Sequence, residues 1–231
     1  MSYSQHPDEE EAILQLFGSH VGRALDIGAW VATTFSNTRA LYERGWELVL
    51  VEPSPGPFII LMRTCSHCGT ARTDLWVPNK NDKPCGCEHS SNERFESYGE
   101  DPRVKLVSAA VSPSPDILMF YASDDAVSTS DRKMYTSWGP SGGYYGRFHT
   151  PTVTVEQLWD KFGPFDFLSI DTEGMNQEVL FSIPLDRMRP CAVCVEYSSG
   201  GERQADVEHM RTHGYKEVFH STGNLLFRRS D

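Results

Sequence analysis

Two short apolar runs in the sequence each end on a carboxylate that could bind the sugar of a nucleoside. Residues 24–30 read ALDIGAW and residues 48–53 read LVLVEP, with a segment of helical length between them. This order is typical of a βαβ unit, in which Asp26 and Glu52 follow neighbouring parallel strands. Open α/β sheets bind ligands at the carboxyl ends of their strands. We therefore expect a nucleoside-containing cofactor at this edge of the sheet.

The turn after the first run narrows the class of cofactor. A carboxylate such as Glu52 suits bidentate hydrogen bonding to ribose hydroxyls, and Gly28 lets backbone approach a ligand closely. A dinucleotide fingerprint needs G-x-G-x-x-G, so that a pyrophosphate can lie at a helix N-terminus, but Gly28 is followed by AWVAT. One glycine together with Asp26 favours a phosphate-free cofactor with a cationic amino-acid end, namely S-adenosylmethionine. The alternative is an ordinary strand and turn with incidental acids.

The composition predicts one acidic, enzyme-sized domain over residues 1–231. The chain has 21 Lys and Arg against 32 Asp and Glu, a formal charge of −11, which disfavours nucleic acid as a partner. No apolar run reaches the roughly 20 residues that span a bilayer, and the start MSYSQHPDEEEA is unlike a signal peptide. We expect a soluble cytoplasmic protein without membrane association. The sequence does not predict the oligomeric state.

Alternating strand and helix patterns predict an α/β fold. Two further apolar runs end on acids, FDFLSIDTEG at residues 165–174 and CAVCVEYS at residues 191–198. The last two predicted strands flank a short turn, and they form an antiparallel hairpin. The whole pattern indicates a doubly wound, mostly parallel sheet that ends in an antiparallel hairpin. Helical spacing predicts helices at residues 8–17, 33–44 and 202–213, among others.

The middle of the chain is predicted from weaker signals. Residues 104–111 and 116–122 are predicted strands, and because only SPSP separates them we expect them to pair or lie adjacent. Residues 123–151 combine several glycines with aromatic side chains and show no clear period. A loop of that length in a compact domain is commonly functional. We therefore predict a substrate-binding lid there.

Residues 65–101 are a polar insertion that contains four of the six cysteines. The insertion has too few apolar residues to fold around a core, and four thiolates with C-x₂-C and C-x-C spacing can close a tetrahedral Zn²⁺ site. His67 or His89 could replace one sulfur. Disulfides and unligated thiols are the alternatives, and a reducing compartment disfavours the former. The predicted zinc ligands are Cys65, Cys68, Cys85 and Cys87.

Five segments in order resemble the FkbM-like family of S-adenosylmethionine-dependent methyltransferases: DIGA, VEP, SAAVS, VTVEQL and SIDTEGMNQEVL. The similarity covers residues 23–57 and 104–227. It implies a Rossmann-like class I methyltransferase fold and, as a rule, methyl transfer to oxygen on sugars or secondary-metabolite hydroxyls. The first turn of that family usually reads D-x-G-A-N-x-G, and this chain departs from it at Trp30 and Ala32.

The resemblance also implies positions for the cofactor. The methionine end would lie against the first turn, the ribose against Glu52, and the adenine near Ser108 and Ala109. Asp171 would face the reacting methyl group. The residues expected to bind the cofactor are Asp26, Gly28, Ala29, Trp30, Glu52, Pro53, Ser108, Ala109 and Asp171.

Methyl transfer from a sulfonium needs in-line placement and a group that takes the hydroxyl proton. We predict Asp171 as that base and Glu173 as a second catalytic residue, although Glu173 could instead stabilise a helix dipole. A carboxylate is a weak base toward an alcohol, so Mg²⁺ is an alternative. Asp171, Glu173 and Glu196 follow neighbouring strands and could bind it jointly.

Three functions remain open at this point. The first is O-methylation of a sugar or other small molecule. The second is a nucleic-acid or cap-type methyltransferase, which the net charge disfavours. The third is an inactive, zinc-containing binding protein on a methyltransferase-like scaffold, which the departures at Trp30 and Ala32 leave possible.

Overall fold

The computed structural model describes residues 2–70, 97–123 and 125–230. Seven strands form a central sheet in the order β3-β2-β1-β7-β8-β10-β9. All neighbours are parallel from β3 to β8, and β10 is antiparallel to both of its neighbours. The predicted doubly wound sheet with a closing hairpin is therefore confirmed. The strands are β1 Arg23–Ile27, β2 Glu47–Val51, β3 Val104–Val107, β7 Phe167–Ile170, β8 Ala192–Glu196, β9 Tyr215–His220 and β10 Asn224–Arg229.

Helices cover both faces of this sheet because side chains alternate between the faces along each strand. One face packs Leu25, Val49 and Leu168 against α5, α6 and α7. The other packs Ala24 and Leu48 against α1, α2 and α3. The helices are α1 Pro7–Phe17, α2 Arg39–Glu43, α3 Pro55–Met62, α4 Arg132–Trp138, α5 Val155–Phe162, α6 Asn176–Ser182 and α7 Gly200–Thr212. Within the described ranges, none has the length and apolar character needed to cross a membrane.

The helix predicted at residues 33–44 is wrong in its first half. Only α2 is helical there, because the chain first makes a turn in which Val31 pairs with Thr34 and Phe35 has a φ of 56°. Ser36 Oγ then accepts a hydrogen bond from the Arg39 amide at 3.1 Å, which starts the short helix. The turn, residues 29–37, projects at the carboxyl end of the sheet.

A second, three-stranded sheet corrects two further predictions. It contains β4 Ala110–Val111, β5 Ile117–Ser123 and β6 Tyr144–Val153 in the order β4-β6-β5. Residues 104–111 are thus two strands in different sheets, and the strand at 117–123 pairs with neither of them. It pairs with β6 instead, since a ten-residue antiparallel partner offers a longer ladder than the two residues of β4.

The segment predicted as a lid loop is mostly regular structure. It holds α4, a 3₁₀ turn at Gly139–Gly142 and β6. Tyr135 on α4 stacks on Tyr121 of β5 with 4.1 Å between ring centroids, and it meets Tyr144 of β6 edge-on at 4.8 Å. These ring contacts explain the aromatic content that suggested a lid. A role in substrate binding stays a prediction.

Candidate active site

A cavity of about 520 Å³ lies at the carboxyl ends of the parallel strands, where the strand order reverses on either side of β1. Its walls come from the first turns after β1, β2, β7 and β8, and from the segment between β5 and the end of α4. The cavity therefore lies where strand ends bind ligands in this class of fold. Of the predicted residues, it is lined by Asp26, Gly28, Ala29, Trp30, Glu52, Pro53, Ala109, Asp171 and Glu173.

Glu52 and Asp26 are both buried, with 4% and 5% of their surface exposed. One oxygen of Glu52 accepts the Trp30 amide at 2.9 Å and the other accepts the Ser54 amide at 2.6 Å. Asp26 accepts the Thr38 hydroxyl at 2.6 Å. Burial raises the pKa of Glu52, and it raises that of Asp26 to about 6. Each carboxyl oxygen has two lone pairs, so both acids keep acceptor capacity toward the cavity.

Gly28 lines the cavity, so its approach to a ligand stays a prediction, and it also has a packing role that the sequence did not indicate. A Cβ at Gly28 would lie 1.7 Å from the backbone carbonyl oxygen of Asp171, and Gly28 has a φ of 78°. The glycine thus lets the turns after β1 and β7 approach each other, and no ligand is needed to explain it. This contact carries Asp171 to the cavity, where the Asp171 amide donates to the Ile27 carbonyl at 3.0 Å.

Trp30, the main departure from the expected turn, is part of the wall. Its φ is 41°, in the left-handed region that costs a non-glycine residue free energy. Its amide is one of the two donors that hold Glu52. Its indole stacks on Phe35 with 5.8 Å between ring centroids. The unusual residue therefore keeps the backbone contact to Glu52 and adds an aromatic surface beside it.

Three carboxyl groups meet on the opposite wall. Asp171, Glu173 and Glu196 each offer an oxygen, and these atoms lie within 4.8 Å of one another. The pKa of Asp171 is raised by burial and by the neighbouring Glu196 and Glu173. Burial and Glu196 also raise the pKa of Glu173 to about 8, and burial raises that of Glu196. The predicted catalytic and magnesium-binding residues are thus brought together, in a setting where ionisation is opposed.

Local hydrogen bonds position this acidic group. Asn176 at the start of α6 donates to Glu196 at 2.9 Å and accepts from the Thr172 amide at 2.6 Å. Glu173 has a left-handed φ of 51°. Its carbonyl accepts the buried Thr129 hydroxyl, which comes from the segment between β5 and α4. The predicted lid segment therefore holds the backbone of a candidate catalytic residue.

Two sets of predicted residues are placed differently. Ser108 is exposed and does not line the cavity, because the chain leaves the central sheet after Val107 and only Ala109 turns inward. Cys85, Cys87 and His89 lie outside the described residues. Cys65 and Cys68 lie beside the base of the insertion, where Cys65 pairs with Ser97 in a β-bridge.

The two cysteines of the insertion that the structure describes, Cys65 and Cys68, differ in their surroundings. Burial raises the pKa of the Cys65 thiol. At Cys68 burial is the largest single influence and raises the pKa, but the hydrogen bonds with Thr70, Cys65 and nearby backbone together outweigh it, so the pKa is lowered. The zinc site stays a prediction.

The tertiary structure also adds cavity residues that local patterns did not indicate. Glu9 of α1 is fully buried, and both of its oxygens accept from the Asn224 amide at 3.2 Å. Asn37 lies beside them, and its Oδ1 is buried without a hydrogen-bond partner among the described residues. The available signal for Glu9 was a charged residue on the apolar face of an amphipathic helix.

Comparison with known proteins identifies the family. The model of the methyltransferase FkbM domain matches residues 20–217, which includes every strand end of the cavity except that of β10. A solved structure of precorrin-6y C5,15-methyltransferase from Geobacter metallireducens GS-15 is similar at 10% identity and a TM-score of 0.44, over 99% of this chain and 90% of that one. Among curated proteins there is no significant match. The match to the domain model spans most of the chain, so this protein belongs to the FkbM methyltransferase family.

Proposed function

We propose that the protein uses S-adenosylmethionine to methylate a hydroxyl group on a sugar or another small molecule. The observation that carries the proposal is one cavity that joins two buried strand-end acids, Asp26 and Glu52, to the carboxyl group of Asp171. The first two suit a nucleoside with an amino-acid end. The third suits proton transfer beside it.

The lining fits this cofactor better than a dinucleotide. Apolar side chains of Ala109, Val111 and Phe120 provide a surface for a purine. Glu52 has acceptor capacity for ribose hydroxyls. The described lining contains no Lys, Arg or His that would bind a pyrophosphate. When bound, the cofactor supplies an electrophilic methyl group.

The chain itself would supply orientation and a base. A general base works best when its pKa lies near the working pH. Burial and the adjacent Glu196 move the pKa of Asp171 upward from that of an ordinary carboxyl, so its ionised form accepts a proton more strongly.

Calorimetric titration with S-adenosylhomocysteine tests the cofactor directly. We expect micromolar binding, with the Glu52→Gln variant weaker by roughly tenfold because it removes an ionised ribose acceptor. The Glu208→Gln variant, on the exposed surface of α7, serves as the matched control. No binding at millimolar ligand would contradict the proposal and would favour an inactive scaffold.

A divalent cation is a second prediction at the same wall, motivated by the convergence of Asp171, Glu173 and Glu196. Activity that survives dialysis against EDTA would exclude it. Activity lost to EDTA and restored by Mg²⁺ would support it.

A further inference from the structure

Among the described residues, the charged side chains that line the cavity are all acidic. Seven acidic side chains line it, and within the described ranges no basic side chain does. S-adenosylmethionine brings a net positive charge, and its amino-acid end and ribose are assigned to only two of these acids, Asp26 and Glu52. The remaining five have no cationic partner in the wall. These acids are Glu9, Asp125, Asp171, Glu173 and Glu196.

One of these acids, Asp171, has a buried carboxyl oxygen that could accept a hydrogen bond from a ligand. Asp171 Oδ1 has essentially no solvent-exposed surface and accepts no hydrogen bond from an N–H or hydroxyl group of the described residues. The groups beside the Asp171 carboxyl are the carboxyl groups of Glu173 and Glu196, which can satisfy it only by sharing a proton. A buried carboxyl oxygen without a donor destabilises the ligand-free protein. A ligand that brings a proton donor or a positive charge into the cavity removes this destabilisation.

The mouth of the cavity adds an independent feature. Phe35 is 53% exposed and Trp138 is 42% exposed, and both line the cavity together with Trp30. Two of these rings come from the irregular turn after β1 and one from the end of α4. Exposed aromatic faces attract organic cations through their quadrupole, most strongly in Trp. They are not ligands for hard divalent metals, which bind oxygen atoms.

From the acidic wall, the buried Asp171 oxygen and the aromatic mouth, we propose that the methyl acceptor carries a protonated amine, as in an amino sugar or an aminocyclitol. The ammonium group is the element recognised, by Glu173, Glu196 and the aromatic faces. A hydroxyl of the same molecule receives the methyl group. Sugar phosphates and uronic acids are excluded by repulsion. This inference rests on the proposed function and names its substrate class.

The test uses three methyl pyranosides of similar size and different charge. They are methyl glucosaminide, with an ammonium group in place of the 2-hydroxyl, methyl glucoside, which is neutral, and methyl glucuronide, with a carboxylate in place of the hydroxymethyl group. Each is titrated calorimetrically into the full chain saturated with S-adenosylhomocysteine. We expect the aminated probe to bind at least about tenfold more tightly than the other two. The preference should disappear in Glu196→Gln and persist in the exposed control Glu208→Gln. If Glu196→Gln does not fold, Glu173→Gln replaces it.

Several outcomes would overturn the inference. They are equal or tighter binding of the neutral or anionic probe, no binding of any probe up to about 10 mM, and a preference unchanged in Glu196→Gln. Mg²⁺ binding to the loaded protein with loss of the preference would assign the acidic wall to a metal instead. Failure of S-adenosylhomocysteine itself to bind would instead refute the proposed function, so the two failures are distinguishable.

Discussion

At the scale of single residues, Asp171 connects the cavity to the chemistry. It follows β7, its amide bonds to the Ile27 carbonyl, and its side chain meets Glu173 and Glu196. The Asp171→Asn substitution keeps the size of the side chain and removes the base. We expect turnover to fall by about 10²- to 10⁴-fold, with little change in affinity for S-adenosylhomocysteine. Methyl-transfer assays and calorimetry measure the two effects, and wild-type turnover in the variant would remove Asp171 from the mechanism.

Substitution of Gly28 tests whether the contact between the turns after β1 and β7 stabilises the fold. In Gly28→Ala the new Cβ would collide with the Asp171 carbonyl at 1.7 Å, in addition to the strain of a left-handed φ. We expect a loss of roughly 3 kcal/mol or more in the free energy of unfolding. Gly214→Ala is the matched control, because Gly214 has a φ of 81° and nothing lies within 4 Å of its Cβ position. It should lose only about 1–2 kcal/mol. Equal losses, measured by urea denaturation, would show that the contact is unimportant.

At the scale of elements, the insertion and the second sheet have separate places. The insertion leaves and rejoins the chain at adjacent points, since the Tyr98 amide donates to the Thr64 carbonyl at 2.8 Å. The second sheet borders the cavity, and Thr129, which forms an isolated bridge with Tyr121 of β5, donates a hydrogen bond to the Glu173 carbonyl. The insertion thus has a fixed base, and the second sheet contributes to the active-site wall.

The insertion carries the zinc prediction. If Cys65 and Cys68 are ligands, the purified protein should contain about one zinc per chain, and the double substitution Cys65→Ser, Cys68→Ser should remove it. Elemental analysis measures this. Cys191→Ser, near β8, is the control and should leave the metal content unchanged. Metal retained by the double variant, or absent from the wild type, would rule out this site.

At the scale of the whole molecule, the buried acids of the cavity lower the free energy of unfolding when they ionise. Burial raises the pKa of Asp26 to about 6, and burial together with Glu196 raises that of Glu173 to about 8. Because these folded values exceed the unfolded ones, each group contributes stability that is complete below its unfolded pKa, near 4, and is lost as the pH rises through the folded value. The free energy of unfolding of the ligand-free protein should therefore fall between about pH 4 and pH 8.

The Glu173→Gln substitution should remove the part of this decrease in the free energy of unfolding that occurs toward pH 8. We expect the variant to exceed the wild type at pH 9 by more than about 1 kcal/mol and to approach it near pH 5. Denaturation across this range measures both values. Glu208→Gln, which is exposed, should follow the wild type, and parallel curves for Glu173→Gln and wild type would contradict the assignment. The same reasoning predicts that a ligand with a permanent positive charge stabilises the protein most above about pH 8, where Glu173 is ionised.

The central sheet was predictable because its signals are local. A buried parallel strand is a short apolar run, and the acids that end these runs at Asp26, Glu52, Asp171 and Glu196 mark the ligand-binding edge. The family resemblance was carried by the same segments. Residues 144–153 alternate poorly and contain glycine, proline and aromatic side chains, so their pairing with β5 depended on contacts distant in the chain.

By itself, the sequence determined the order of strands and helices and the acids at the strand ends, since side-chain period and turn chemistry act over a few residues. Tertiary structure alone decided that Glu9 and Asp125 join these acids in one cavity, that Gly28 accommodates the Asp171 carbonyl, and that Glu9 and Asn224 meet beside the site. The physical reason is that these groups are far apart along the chain, so local sequence patterns do not relate them. Long-range packing brings such groups together, and only their accumulated charge indicates what the cavity binds.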